Sequence, residues 1–387
     1  MAATYTPREM VERLVAFDTT SRDSNLHLIT FVEDYAKANG LTPRRIPNAE
    51  GTKANLLITL GPSEPGGIIL SGHTDVVPVD GQPWDTDPFK TVEKDGKLYG
   101  RGTSDMKSFS AVILALLPEF QKRRVKTPIH IALSYDEEVG CLGVRPMIAE
   151  IIKSVPKPKL AIIGEPTDMK VVNAHKGIRS FRTTVTGREA HSSQTDKGVN
   201  AVMVAAELIM HLSDIAEAMR KVGDPSGRFD PPYTTVQSST IEGGTALNIL
   251  ARHCMFQWEF RYLPGTSRDE IVERFIAHTN ENVLPRLRRI APEADIVTLP
   301  RAHVPALIAT DGCPAEALAK QLTGRNHAEA VSYGTEAGLF QEAGIPSVIC
   351  GPGNIQQAHK PNEFIELSQI DACTAFMRRL MDHVCAA

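Results

Sequence analysis

The sequence lacks the features that mark several classes of protein. Its six cysteines among 387 residues form neither a Cys-x-x-Cys pair nor a dense framework, so we expect reduced, mostly structural thiols. No run of about 18 consecutive apolar residues is present, and the first residues lack the charged and apolar regions of a secretory signal. We therefore expect a cytoplasmic protein with no membrane partner.

Charge and motif content argue against further classes. The formal net charge is only -4 and no long run carries one sign, so no nucleic-acid partner is expected. No Gly-x-Gly-x-x-Gly loop follows a strand, and neither Gly-x-Ser-x-Gly nor Gly-x-x-x-x-Gly-Lys occurs. A dehydrogenase, a serine hydrolase and a nucleotide hydrolase therefore lack support, and a small-molecule partner is the better expectation.

Short apolar runs alternate with helical patterns in the first part of the chain and again after about Ala302. This alternation predicts strand–helix units, and hence an α/β domain with a mainly parallel sheet flanked by helices. The predicted strands are Ala54–Leu60, Ile68–Gly72, Ile129–Tyr135, Leu160–Gly164 and Ser347–Cys350, and the predicted helices are Ser108–Gln121 and Ser368–His383.

From about Gly177 the pattern changes to alternating strands and long amphipathic helices. The order is strand, helix, two strands, helix, strand, which is typical of an α+β ferredoxin-like fold. We therefore predict a discontinuous domain of residues 1–176 and 303–387 and an inserted domain of residues 177–302. The inserted elements are the strands Ile178–Thr186, Thr234–Ile241, His253–Leu263 and Ala294–Leu299 and the helices Asn200–Met219 and Ser267–Val283.

Potential metal ligands stand where the predicted parallel strands end, and one more opens a helix after a Gly-rich turn. Such strand ends meet in one crevice of an open α/β sheet, so these side chains can converge. Taken singly, a histidine after a strand or a pair of acids is most often an ordinary surface feature. Together, two histidines and three carboxylates suit two divalent ions about 3.5 to 4 Å apart. The polar residues at these places are the histidines His73 and His359 and five carboxylates from which the three would come, Asp75, Asp105, Glu137, Glu138 and Glu165.

The motifs at these positions resemble those of the M20 metallopeptidase family, in family order, from near Leu14 to the C-terminal helix. The resemblance implies a metal-dependent amidohydrolase with a zinc-aminopeptidase-like catalytic domain and an inserted lid and dimerisation domain. The motifs are His73-Thr-Asp75, Gly102-Thr-Ser-Asp105-Met-Lys, Asp136-Glu137-Glu138, Gly164-Glu165-Pro-Thr and His359.

The resemblance also implies which residues hold the metals. His73 and Glu165 would hold one zinc, Glu138 and His359 would hold the other, and Asp105 would bridge both. Zinc suits mixed nitrogen and oxygen ligands, although cobalt or manganese could occupy the same site.

Two further residues receive catalytic roles from the resemblance. Asp75 would hydrogen-bond the other ring nitrogen of His73 and so fix its tautomer. Glu137 would act as the general base, taking a proton from the attacking water and passing it to the leaving amine. A non-catalytic binding protein with this fold would be expected to lose Glu137 first, and Glu137 is present.

The inserted domain carries further family motifs. Gly187-Arg-Glu-Ala-His191-Ser-Ser resembles the segment whose histidine reaches across a dimer to stabilise the tetrahedral oxyanion, so the resemblance implies a homodimer through this domain. The alternative is that His191 simply begins a loop. Asn248 and Arg261 match segments that hold the substrate, and the planar fork of Arg261 suits a carboxylate. Otherwise Arg261 would be a strand-end arginine in a surface ion pair.

Within the family, four stretches resemble the branch that deacetylates N-acetyl-L-ornithine to L-ornithine and acetate. Glu336 is a candidate partner for the substrate amine, and it is equally a carboxylate that the dipole at a helix N-terminus favours. The stretches are Asn173-Ala-His175-Lys176-Gly177, Gly198-Val-Asn-Ala, Tyr333-Gly-Thr335-Glu336-Ala337 and Gly351-Pro-Gly-Asn-Ile-Gln-Gln-Ala-His359.

One departure leaves the substrate open. Gln194-Thr195-Asp196 does not follow the Asp-Pro sequence expected after the paired serines in that branch. The alternatives are a succinyl-diaminopimelate desuccinylase, a broader N-acyl-amino-acid amidohydrolase and a dipeptidase of the same family.

Overall fold

The computed structural model describes residues 4–385. Its helices are α1 (Pro7–Val15), α2 (Leu26–Ala38), α3 (Lys107–Ala115), α4 (Leu117–Lys122), α5 (Val144–Ser154), α6 (Ala201–Val222), α7 (Glu270–His278), α8 (Leu284–Arg288), α9 (Pro314–Thr323), α10 (Ala337–Glu342) and α11 (Leu367–Cys385). Its strands are β1 (Arg44–Pro47), β2 (Ala54–Leu60), β3 (Ile68–His73), β4 (Val92–Lys94), β5 (Lys97–Tyr99), β6 (Ile129–Ser134), β7 (Leu160–Pro166), β8 (Val172–His175), β9 (Gly177–Thr186), β10 (Thr235–Gly243), β11 (His253–Tyr262), β12 (Asp295–Val304), β13 (Glu329–Val331), β14 (Ser347–Gly351) and β15 (Phe364–Glu366). Within this described part, no helix combines the length and the apolar character that crossing a membrane would require.

The described residues form two compact units, each with its own apolar core. The first unit comprises the residues up to Ala174, Leu307–Ala330 and the residues from Thr335 onward. The second unit comprises His175–Ala306 together with Val331–Gly334. The first unit is therefore built from stretches that lie far apart in the sequence.

A sheet of eight strands, in the order β1-β2-β6-β3-β7-β14-β8-β13, forms the centre of the first unit. Strands β6, β3, β7 and β14 run parallel to one another, whereas β1 pairs antiparallel with β2, β2 with β6, and β8 with β14. Every residue of β3, β6 and β7 is buried, as expected for strands covered by helices on both faces. The predicted α/β class with a mainly parallel sheet is confirmed.

The helix predicted over Ser108–Gln121 is wrong in one respect, because the structure breaks it into α3 and α4. The first helix is capped at Leu116, and Pro118 lies in the first turn of the second. Proline lacks an N–H and its ring clashes with the preceding turn, so a helix accepts it in its first turn and not in its interior.

Strands β1, β4 and β5 are not predicted by the apolar pattern. They are only three or four residues long and most of their side chains are partly or fully exposed. Short exposed strands carry no apolar run that sequence periodicity can detect.

The second unit has the order β9, α6, β10, β11, α7 with α8, and β12. Its four strands pair antiparallel in the order β10-β11-β9-β12, so the predicted ferredoxin-like fold is confirmed. Alternate residues of β11 are buried, and Trp258 packs on Phe275 of α7 with ring centroids 4.8 Å apart. The predicted helix over Ser267–Val283 is shorter than expected, because α7 ends at His278 and a π-helical turn follows.

Two glycines let α3 approach the sheet of the first unit closely. A Cβ atom on Gly72 of β3 would lie 2.7 Å from the Ser110 hydroxyl oxygen, and one on Gly164 of β7 would lie 2.0 Å from the ring of Phe109. Any larger residue at either position would push α3 away from the sheet. The loop before α3, which carries Asp105, is thereby held against the ends of both strands.

Candidate metal centre

Four adjacent strands bring the predicted ligands to one edge of the sheet. His73 is the last residue of β3, and Glu165 is the last but one of β7. Glu138 follows β6 after a short loop, and His359 follows β14. Because these strands are parallel neighbours in the order β6-β3-β7-β14, their carboxyl ends meet. Asp105 reaches the same edge from the loop before α3.

The carboxylate of Asp105 lies between the two histidines. Its Oδ1 is 3.1 Å from His73 Nε2, and its Oδ2 is 3.4 Å from His359 Nε2. Glu165 Oε2 lies 4.0 Å from His73 Nε2, and Glu138 Oε2 lies 3.0 Å from His359 Nε2. Each oxygen of Asp105 therefore faces a different histidine, and each histidine has a glutamate beside it.

Within residues 4–385, two groups of potential ligands have all their ligand atoms within 4.8 Å of one another. The groups are His73, Glu137 and Glu165, and His73, Asp105 and Glu138. His359 extends the second group through its contacts, and its side chain is 55% exposed. The centre is thus buried against the sheet and open to solvent at His359.

The glutamates of the centre are strongly perturbed. Burial raises the pKa of Glu137 to about 8 and that of Glu138 to about 7, and it raises the pKa of Glu165 well above its ordinary value. Neighbouring carboxylates add to these shifts. Divalent cations relieve such a cost, because they place positive charge at ligand distance. The imidazole nitrogens and carboxylate oxygens fit zinc, cobalt or manganese.

The pKa values of the two histidines are raised as well, which for an imidazole favours the charged form. Hydrogen bonds to Asp105 and Glu138 raise the pKa of His359 to about 10. Burial acts to lower the pKa of His73, but hydrogen bonds to Asp105 and Asp75 raise it well above its ordinary value. Histidine binds a metal as the neutral imidazole, so metal binding displaces these protons.

Asp75 connects the end of β3 with the loop after β6. Its main-chain carbonyl lies 2.9 Å from His73 Nδ1, closer than its carboxylate at 3.5 Å. The carboxylate accepts hydrogen bonds from the main-chain N–H groups of Glu137 and Glu138, at 3.1 and 3.3 Å, and from the Ser21 hydroxyl at 2.7 Å. Asp75 therefore helps to fix both the ring of His73 and the loop that carries the two glutamates.

A buried ion pair that no sequence pattern indicates supports the loop of Asp105. Arg101 Nη1 lies 2.8 Å from Glu363 Oε2, and both side chains are almost wholly buried. Glu363 also accepts two main-chain hydrogen bonds, one of them from the N–H of Asp105 at 3.1 Å. Arg101 donates in turn to the carbonyl of Lys360, in the loop of His359. Both members of the pair stand in irregular segments, where apolar periodicity gives no sign of burial.

The structure places Glu336 inside the first unit, with no exposed surface. Its side chain accepts hydrogen bonds from the hydroxyl groups of Ser71, at 3.0 Å, and Ser134. Ser71 lies on β3 and Ser134 on β6, so Glu336 ties these strands together close to their carboxyl ends. Burial raises the pKa of Glu336, and the hydrogen bond from Ser134 opposes that shift.

The remaining predicted site residues lie in the second unit. His191 is exposed, and its Nδ1 is 2.8 Å from the hydroxyl oxygen of Ser193. Asn248 is also exposed, and its carbonyl accepts a hydrogen bond of 3.1 Å from the segment that follows His191. Arg261 lies on β11, where its Nε donates to Glu259 at 3.3 Å. His191 and Asn248 therefore belong to adjoining loops, whereas Arg261 stands on a strand.

Sequence comparisons find similarity over almost the whole chain. The profile of peptidase family M20/M25/M40 matches residues 69–383. An acetylornithine deacetylase of Photorhabdus laumondii is 36% identical over 377 residues, which cover 96% of this chain and 93% of that protein. An acetylornithine deacetylase of Pasteurella multocida is 34% identical over 388 residues, which cover 97% of each chain.

Solved structures share the fold. An M20-family metallo-carboxypeptidase of Sulfolobus solfataricus superposes with a TM-score of 0.76 at 15% identity, covering 99% of this chain and 100% of that one. A dinuclear metal-binding peptidase of the M20 family from Bacillus subtilis gives a TM-score of 0.67 at 14% identity, covering 98% and 97%. At these identities the similarity concerns the fold alone.

Proposed function

The chain belongs to peptidase family M20/M25/M40, and on this premise we propose that it removes the acetyl group of N-acetyl-L-ornithine, giving L-ornithine and acetate. Family membership makes the protein a metal-dependent hydrolase. The main structural support for the proposal is that the carboxylate of Asp105 lies between two histidines. The relatives named acetylornithine deacetylase support the substrate, and that reaction belongs to arginine biosynthesis.

We assign two divalent metal ions to the centre, zinc first and cobalt as the alternative. His73 and Glu165 would hold one ion, Glu138 and His359 would hold the other, and Asp105 would bridge them. When bound, such ions polarise the acyl carbonyl and lower the pKa of water. The nitrogen and oxygen donors of these five residues support the assignment.

We assign proton transfer to Glu137. Its ligand atom is within 4.8 Å of those of His73 and Glu165, and a carboxylate so close to the candidate ligands can accept a proton from water and return it. Glu137 would take a proton from the attacking water as the water oxygen bonds to the acyl carbon. It would then give that proton to the nitrogen as the carbon–nitrogen bond breaks, which releases the free amine and the acid.

We propose that the second unit recognises the amino-acid part of the substrate. Arg261 suits the carboxylate, because a guanidinium can donate to both oxygens, and the Asn248 amide offers a further polar contact.

Glu336, in the first unit, remains the candidate for binding the ornithine amine, because its charge is opposite to that of the amine. Its contacts with Ser71 and Ser134 support a second role, in which it only positions β3 and β6.

We propose further that residues 177–302 act as a lid and dimerisation domain. Strand β10 lies at an edge of its sheet, and the neighbouring helix α6 exposes Met203 and Met210, at 67% and 62%. These methionines are about two turns apart and so share one face. Large exposed apolar side chains beside an edge strand support an interface. His191 would then stabilise the oxyanion at the metal centre of the partner protomer.

The first experiment measures release of free amine from N-acetylornithine, N-succinyl-diaminopimelate, N-acetylmethionine and a dipeptide, with zinc or cobalt and again after chelation. We expect metal-dependent turnover that is fastest on N-acetylornithine. Faster turnover of another compound would contradict the proposed substrate and indicate a desuccinylase, a broader amidohydrolase or a dipeptidase instead. An absence of turnover with either metal would favour a non-catalytic binding protein.

Glu137→Ala should keep its metal content and lose turnover by about 10²- to 10⁴-fold, because the water and the leaving amine lose their proton carrier. Elemental analysis and kcat measure the two quantities. Glu64→Ala, which removes an exposed glutamate of the same unit, is the matched control and should behave as the wild type. Wild-type rates in Glu137→Ala would falsify the assignment of Glu137 as the base.

Glu336→Gln separates the two roles of Glu336. The substrates are N-acetylornithine and N-acetylnorvaline, which differ only in the side-chain amine. A contact with the amine requires a higher KM for N-acetylornithine alone, whereas a positioning role lowers kcat for both. Because the serine contacts bury the carboxylate, we expect a loss of about tenfold on both substrates. Ser134→Ala should then reproduce part of the loss, and a change confined to N-acetylornithine would support the amine contact instead.

Light scattering should give twice the mass of one chain, and Met210→Glu should lower that mass by placing a charge in the interface.

His191→Ala should stay dimeric and lose turnover by about 10²-fold, because the oxyanion loses a donor. Mixing the inactive Glu137→Ala and His191→Ala proteins should restore activity, since one site of a mixed dimer is complete. If the mixture stays inactive while subunits exchange, His191 does not act across the dimer.

A further inference from the structure

One of the six cysteines lies against a residue of the metal centre. The thiol of Cys141 donates to Glu137 Oε1, with a sulfur–oxygen distance of 3.2 Å. Cys141 is only 2% exposed, so water hardly competes for this contact. The spacing of the cysteines gives no reason to separate Cys141 from the others, and the contact emerges only from the folded loop.

The loop after β6 is folded so that the thiol reaches this place. The N–H groups of Gly140 and Cys141 donate to the carbonyl of Glu137, at 2.9 and 2.8 Å, and the N–H of Leu142 donates to the carbonyl of Asp136 at 3.0 Å. Cys141 has a φ of 53°, in the left-handed region, which a residue with a Cβ atom adopts only at an energetic cost. The folded loop fixes the thiol in this position in spite of that cost.

The thiol is in the form that can donate. Burial raises the pKa of Cys141 well above its ordinary value, and the nearby charges of Glu137 and Glu336 raise it further. A protonated thiol next to a carboxylate is the donor, and the carboxylate oxygen is the acceptor.

We propose that Cys141 is a positioning residue for Glu137, whose thiol holds Oε1 and leaves the second carboxylate oxygen for proton transfer. The main chain of Glu137 is already fixed by Asp75, at 3.1 Å. The thiol fixes the side chain as well, and accurate placement of a proton carrier strongly affects the rate of transfer. This inference rests on the proposed function, in which Glu137 is the base.

The competing explanation is that Cys141 merely fills space. The two explanations predict different orders of kcat among the Cys141 variants. A filling role makes Cys141→Ala mild and gives Cys141→Ser no advantage, because serine adds a polar group to a buried position. A positioning role makes Cys141→Ala the slower variant, because serine keeps a donor and alanine does not.

The test measures kcat and KM of the metal-loaded protein on the fastest substrate of the panel. For Cys141→Ala we expect a kcat lower by about 5- to 20-fold, as for a weak donor to a charged group, with KM within about twofold. For Cys141→Ser we expect a kcat within about threefold of the wild type. Cys313→Ala, at a buried cysteine where α9 begins, is the control and should leave both constants unchanged.

A second measurement does not depend on turnover. The infrared S–H stretching band that disappears in Cys141→Ala should lie at lower frequency in the wild type than in Glu137→Ala, because the bond to the carboxylate weakens S–H. A wild-type kcat in Cys141→Ala, a Cys141→Ser variant as slow as Cys141→Ala, or an unshifted band would each overturn the inference. A shifted band in a protein that turns over no substrate would instead overturn the proposed function and leave the contact in place.

Discussion

The first unit depends on a gathering of carboxylates in a place from which water is largely excluded. Parallel strands and two glycines force Asp105, Glu138 and Glu165 together, and Glu137 lies within the same few ångströms. Lost hydration, and to a lesser extent repulsion between carboxylates, raises the pKa of each of the three glutamates. Two histidines offset only part of this charge. Positive ions complete the balance, so part of their binding free energy goes into relieving a repulsion that the fold has already created.

A second set of acids lies around these candidate ligands, and the protein's own donors satisfy their hydrogen-bonding capacity. Asp75 receives two main-chain N–H groups, Glu363 receives Arg101 and two more N–H groups, and Glu336 receives two serine hydroxyls. These groups are therefore already committed to hydrogen bonds within the protein. Their hydrogen bonds help to set the positions of the loops and strand ends from which the candidate ligands project. Chemically alike carboxylates thus differ in their surroundings, because some lie among other acids and others are paired with donors.

The sequence predicts most of this arrangement where an apolar run precedes a polar residue. His73 and Glu165 stand at the ends of short apolar runs that the sequence predicts as buried strands, and the ferredoxin-like order of the second unit follows from alternation. The apolar pattern predicts one continuous helix across Pro118, whereas the local restrictions on proline account for the break that the structure shows. The ion pair of Arg101 and Glu363 cannot be predicted from the sequence, because it joins two irregular segments 262 residues apart. The place of Glu336 likewise depends on long-range packing, which no local pattern encodes.

Strand β14 pairs with β7 although some 180 residues separate them, and His359 follows β14. A ribosome therefore releases nearly the whole chain before the central sheet can close. Most of the second unit has emerged by then, while the buried edge of β7 still lacks its neighbour. The nascent protein must keep an apolar strand edge from pairing elsewhere during that interval. Completion of the candidate metal centre is correspondingly a late event of biogenesis, because His359 arrives only with the last tenth of the polypeptide.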